Sequence, residues 1–175
     1  MTQRETDSAD PEKLKELLIE QLKEAYWLEN KLVRMLLKFQ ELATANNIKQ
    51  IFADHSEQTR THVSRLELVF SFLGLPTSTK ACSIVSDIAD SYNSIVLETR
   101  CEMSKRDVRL VQATQKAKQH EIAVYHELLR LVVLLRYSNV EPILNKTLQE
   151  EQQANDLLSG IKESVIAYKA GSPSF

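Results

Sequence analysis

Apolar residues recur along this chain in steps of four and three, the spacing of one helical face. The first line runs Leu18, Leu22, Ala25, position 29, Leu32, Leu36, Phe39 and Ala43. The second runs Ile51, positions 55, 58 and 62, then Leu66, Val69 and Leu73. Val111, Tyr125 and Leu128 share a face in a third segment. Leu144, Leu148, positions 151 and 155, Leu158 and Val165 line a fourth.

Turn signals set the limits of these elements. Asp10-Pro11-Glu12 reads as a helix start, with Asp as cap, Pro in the first turn and Glu favouring the dipole. Helix A is expected to run to about Ala45 and stop at Asn46-Asn47. Helix B is expected from near Asn47 to Gly74, where "GLPTSTK" breaks it. Helix C should begin at about Ser104 or Asp107 and reach Arg136. Helix D follows "YSNVEP" and spans roughly 140 to 170. Residues 75 to about 106 form a longer connection, and "CSIVSDIADSYNSIVLETR" places a short extra helix within it. Two short turns and a long middle connection describe an all-α, ferritin-like four-helix bundle of two antiparallel hairpins with a long crossover. The expected organisation is a disordered lead over residues 1–10, one bundle over 11–170 and a tail over 171–175.

Composition narrows the function classes. There are only three glycines and four prolines in 175 residues, enough chain for one sizeable core. The net charge of −2, with both signs mixed throughout, leaves no basic stripe for nucleic acid. The longest apolar run, "LLRLVVLL" from 128 to 135, is too short and too interrupted to span a bilayer, and the first ten residues hold no apolar signal segment. Cys82 and Cys101 lack metal-ligand spacing. A cytoplasmic protein without nucleic-acid or membrane partners is expected. The width of the apolar surface on helix C points to a homodimer or to cover by the middle helix.

Polar residues interrupt the apolar lines at mid-helix. Helix A carries Glu29; helix B His55, Gln58 and His62; helix C Lys118 and Glu121; helix D Glu151 and Asn155. A buried charge without a partner costs several kcal/mol or more, so these groups must pair or bind something. Two readings follow. Facing carboxylates and histidines suit a cage for iron, manganese or zinc. The other reading is a buried salt-bridge and hydrogen-bond network that aligns the helices. His55 reads as a hydrogen-bonded core histidine, and His120 and His126 as surface or interface residues. Tyr26 and Tyr125 are each expected to bond a core carboxylate.

The stretches "AYWLENKL", "FADHSEQTRTHVSRLE", "QKAKQHEIAVY" and "LNKTLQEEQQANDLL" resemble the YciE/YciF proteins, bacterial stress-associated proteins. The resemblance covers about residues 12 to 165, and "HEIAVY" is its most specific piece. It implies a ferritin-like bundle related to rubrerythrin, generally dimeric, with a carboxylate-rich centre and no well-established reaction, although ferroxidase activity is often suggested. Glu29, Glu121 and Glu151 stand where family members keep glutamates. Departures fall at Gln58 and Lys118, where Glu is usual, at Gln119, where His is usual, and at Asn155, where Asp is usual.

These departures remove negative charge and add an ammonium, the pattern expected if Lys118 replaces a metal as counter-charge to Glu29, Glu121 and Glu151. That reading takes Glu29, Gln58, Lys118, Glu121, Glu151 and Asn155 as a core charge network with no cofactor. Its function would be non-catalytic, exerted as a homodimer or with an unidentified protein partner. The alternative keeps a diiron centre or a single iron or manganese ion, the single ion on Glu29, His62, Glu121 and Glu151 with Lys118 turned away. It would serve ferroxidase, peroxide-related or iron-buffering chemistry.

Overall fold

Four long helices carry the chain: α1 (Pro11–Leu42), α2 (Asn46–Phe72), α3 (Met103–Leu134) and α4 (Glu141–Gly171). The structure, a computed structural model, describes residues 10–81, 93–99 and 103–171, without the side chains of 103–104 and 162–171. Cys82, Cys101, the side chain of Val165 and most of the lead and tail lie outside the described residues. The described part of the crossover includes a helical stretch over residues 93–98, within the segment expected to hold a short helix.

Two apolar clusters fix the arrangement. One gathers Leu18, Leu22, Leu66, Phe70, Leu128, Leu131 and Leu144. It therefore joins the start of α1, the end of α2, the end of α3 and the start of α4. The other gathers Leu36, Phe39, Ile48, Phe52, Leu110 and Leu158 at the opposite end. Thus α1 lies antiparallel to α2 and α3, and α4 antiparallel to α2 and α3. The crossover returns the chain from one end of the bundle to the other, and α2 and α3 run parallel. It begins along α1, where Lys80 bridges Glu20 at 2.8 Å and Glu24 at 3.1 Å. It arrives with Ile95 packed in the second cluster.

Local chemistry explains the helix limits. Asp10 caps α1 by accepting from the Glu12 N–H at 3.1 Å. The expected stop at Asn46-Asn47 is corrected: α1 ends at Leu42 and Asn46 already belongs to α2. The cause is distant in sequence. The Asp107 carboxylate of α3 accepts from Thr44 N at 2.8 Å, Thr44 Oγ1 at 2.6 Å and Ala45 N at 2.9 Å. Asp107 thereby ties down the turn just ahead of α2, which has no side-chain cap of its own.

Every expected inward position of α1 is buried, from Leu18 to Ala43. The line on α2 is corrected. Its buried residues include Ile48, Phe52, His55, Thr59, His62, Leu66 and Val69, in steps of four and three. Thr59 occupies the inward place expected for Gln58, which is half-exposed. Both positions lie one turn from His55 and His62, so only the flanking Ile48 and Phe52 decide between them.

Candidate polar centre of the bundle

Between the two apolar clusters lies a layer of ionisable side chains. Glu29, His62, Glu121 and Glu151 are 0% exposed and Lys118 is 1% exposed. The Lys118 ammonium sits 2.7 Å from Glu151 Oε2 and 3.0 Å from Glu121 Oε2. The Tyr125 hydroxyl donates to Glu29 Oε1 at 2.6 Å. His62 links the layer to the surface. Its Nδ1 is 2.8 Å from Glu151 Oε1 and 3.7 Å from Glu29 Oε1, while Nε2 lies 2.9 Å from Glu150 Oε2. Glu150 is held by the Arg65 guanidinium through two bonds of 2.6 and 3.0 Å.

The charges constrain one another. Burial opposes the Lys118 ammonium, but Glu121, Glu151 and Glu29 overcome it and raise its pKa above the ordinary lysine value. Burial also works against the Glu151 carboxylate. Lys118 and His62 outweigh that effect and hold its pKa down, at about 2. Glu121 goes the other way: burial, with the charge of Glu151 added, raises it well above the carboxylate range despite Lys118. Burial raises Glu29 as well, against the pull of His62. For His62 burial disfavours the charged ring, yet Glu151 and Glu29 raise its pKa. Both His62 nitrogens face carboxylates, which in the absence of a metal calls for the doubly protonated ring. Three carboxylates against two cations leave one excess negative charge. A proton kept on Glu121 makes the layer neutral.

The same atoms bear comparison with a metal centre. A two-ion bundle site uses single glutamates from two helices and a Glu-x-x-His pair from each of the other two. Here Glu29 and Glu121 supply the single glutamates, and His62 and Glu151 each supply half a pair. Thr59 and Ala154 stand in the remaining places, and Lys118 fills the ground between Glu121 and Glu151. Two ions do not fit this set. One ion does: Glu29, His62 and Glu151 offer ligand atoms that all lie within 4.8 Å of one another. Glu29 Oε2 lacks a hydrogen-bond partner in the fold, while His62 Nδ1 and the two Glu151 oxygens are engaged in ion pairs with each other and with Lys118. The Nε2–Glu150 contact matches the outer support that orients ligating histidines.

Of the residues expected in the network, Glu29, Lys118, Glu121 and Glu151 come together. Gln58 stands off the inward face. Asn155, one turn beyond Glu151, is half-buried with its Oδ1 enclosed and without a hydrogen-bond partner. Lys118 does not turn away from the carboxylates. Tyr26 corrects another expectation, because its hydroxyl donates to exposed Glu67 at 2.9 Å rather than to the core. His55 is buried, but its Nδ1 has no partner. Burial, with Lys118 adding to it, lowers its pKa to about 4, so the ring is neutral at neutral pH. Sequence reading passes over Glu150, Arg65 and Asp107. Glu150 and Arg65 lie beside inward positions and leave no signal in an apolar pattern; Asp107 is buried one turn before Val111, but its partners lie in a turn distant in sequence.

Comparisons with known proteins place this geometry in a family. The profile of a family described as a domain of unknown function, DUF892, matches residues 13–171. Protein YciF of Escherichia coli K12 is 27% identical over 158 residues, spanning 90% of this chain and 95% of that protein. The crystal structure of the E. coli stress protein YciF matches with a TM-score of 0.82 and 25% identity, over 88% of this chain and 97% of that one. YcfI of Rhodopseudomonas palustris, for which a structural role is proposed, matches with a TM-score of 0.80 and 25% identity, over 90% and 98% of the two chains.

Proposed function

The chain belongs to the YciE/YciF family, and from that premise we propose that it is a non-catalytic, ferritin-like stress-associated protein with a degenerate metal centre. In this reading Lys118 supplies from within the chain the positive charge that metal ions supply in a two-ion bundle. The protein then acts through its surface, in the cytoplasm, as a homodimer or with a protein partner. One observation carries the reading: a fully buried ammonium within ion-pair distance of both Glu121 and Glu151. No helix among the described residues is long and apolar enough to cross a membrane. The exposed Val133 and Leu134 at the end of α3 offer apolar surface for a second chain.

A second reading rests on the clustered ligand atoms of Glu29, His62 and Glu151. These three would hold a single iron or manganese ion, which would supply Lewis-acid or one-electron chemistry. His62 Nδ1 would then carry the ion in place of a proton. Metal content separates the two readings. Protein purified without a tag or chelator is expected to hold iron and manganese far below one ion per chain. A stoichiometric ion would overturn the first reading in favour of the second.

A further inference from the structure

The helices α2 and α4 meet through a seam that carries no apolar side chain larger than Ala154 at its centre. Between Phe52 and Leu66 the buried residues of α2 are His55, Ser56, Thr59 and His62. Between Leu148 and Leu158, α4 buries Glu151 and Ala154, and Asn155 is half-buried. The helices are antiparallel, with His62 facing Glu151 at 2.8 Å. One turn toward the start of α2 lies Thr59, and one turn toward the end of α4 lies Asn155. At about 1.5 Å per residue, Thr59 is ~4.5 Å and Asn155 ~6 Å from that contact, so they stand at nearly the same height. Thr59 is 0% and His55 5% exposed. Thr59 Oγ1, His55 Nδ1 and Asn155 Oδ1 are all enclosed without a hydrogen-bond partner in the fold. On the opposite side α1 and α3 present Ala25, Leu28, Leu32 and Ala117, all buried and apolar.

We propose that the α2–α4 seam binds a short file of water molecules and is the solvent route to the buried centre. The chemistry on the two walls fits water rather than an apolar or charged ligand. Thr59 offers a donor and an acceptor, the Asn155 oxygen an acceptor, and the neutral His55 ring nitrogen either role according to its tautomer. A buried water requires two to four such partners, and the seam supplies them from both helices. Half-exposed Gln58 and Asn155 set two amides on the outer side of the seam. At the inner end Lys118 has three N–H donors and two carboxylates, which leaves one N–H for water. A proton passed from Lys118 to the file is replaced by one from the file, so exchange leaves every charge in the layer unchanged. The inference holds whichever cation His62 Nδ1 carries.

A crystal structure of the wild-type protein at a resolution that shows solvent is expected to place waters within hydrogen-bond distance of Thr59 Oγ1 and Asn155 Oδ1. A dry seam, with both groups bonded to protein atoms, overturns the proposal. In solution, the exchange of the Lys118 ammonium protons with solvent can be followed with nitrogen-15 lysine. Filling the seam with Thr59→Val and Asn155→Leu is expected to slow that exchange on the order of tenfold, because only opening of the bundle then admits solvent. Unchanged exchange in a folded double variant overturns the route. If the double variant does not fold, the near-isosteric Thr59→Val alone makes the comparison, with the same two outcomes.

Discussion

Lys118 shows how far a single residue can be read. Its place on the inward face follows from the spacing to Glu121, Tyr125 and Leu128, and its charge follows from its identity. What spacing does not contain is the partner. Glu151 lies on another helix, and only the antiparallel packing of α3 and α4 brings it within 2.7 Å. Lys118→Met should therefore cost about 3–5 kcal/mol at neutral pH, read from urea unfolding, because it strands buried carboxylates. Adding Glu151→Gln should recover much of that loss, since Glu151 is the ionised partner of Lys118 and removing both members of a buried pair is far milder than removing one. A silent Lys118→Met would remove the ammonium from the network. Gln58 is the residue that spacing misplaces. Two positions one turn from both histidines are equivalent in pattern, and a polar side chain gives no burial signal to choose between them.

The same residues set a pH dependence. Glu151 has a folded pKa of about 2 against an ordinary 4.5, so its stabilisation is present above pH 4.5 and is lost as pH falls toward 2. His62 is raised above 6.5, so its contribution is complete below that value and disappears as pH climbs through the folded pKa. Glu121, raised above 4.5, adds to the same alkaline loss because the folded state keeps a proton that the unfolded chain releases. Across the range from pH 4.5 to 6.5 stability is expected to decline from a maximum near pH 4.5, and to decline faster above 6.5, where His62 joins Glu121. Urea midpoints across that range check it, and Glu151→Gln should flatten the acid limb.

At the scale of elements, α2 and α3 end in the same way. Leu75 N donates to Phe70 O at 2.9 Å and Gly74 N to Ser71 O at 3.0 Å; Tyr137 N donates to Val132 O at 2.9 Å and Arg136 N to Val133 O at 3.1 Å. Both turns need a residue at positive φ. Gly74 meets this at 67°, but Arg136 is forced there at 59°. Arg136→Gly should raise stability by up to about 1 kcal/mol, whereas Gly74→Ala should lower it by a similar amount, both visible as shifts in the urea midpoint. The glycine marks its helix end in the sequence; the arginine does not. The α1–α2 turn departs from its expected place for a related reason. The turn is held by Asp107, whose side chain reaches it only after α3 has packed.

For the whole molecule, the crossover and hairpins are legible because turn signals and apolar spacing agree across four long segments. Assembly rests on less. Val133 and Leu134 are 54% and 53% exposed at the end of α3, the place where the sequence shows more apolar surface than a four-helix core uses. Light scattering is expected to give a dimer, and Leu134→Glu to shift the mass to a monomer. A strict wild-type monomer would remove the homodimer from the proposed function.

The layer of charges across the middle of the bundle also bears on cooperativity. Each end of the molecule has its own apolar cluster, closed by its own hairpin turn, and the two share little beyond half-buried Val124, which packs against both. An end can therefore fray while the far end stays packed. Separating Glu29, His62, Lys118, Glu121 and Glu151 requires all four helices to part. Native-state hydrogen exchange should then find three classes of amide: two terminal groups that open independently, and a central group whose opening energy equals that of global unfolding. Lys118 and its carboxylates would thus be the last groups to separate, although the ammonium brings no apolar surface to the core.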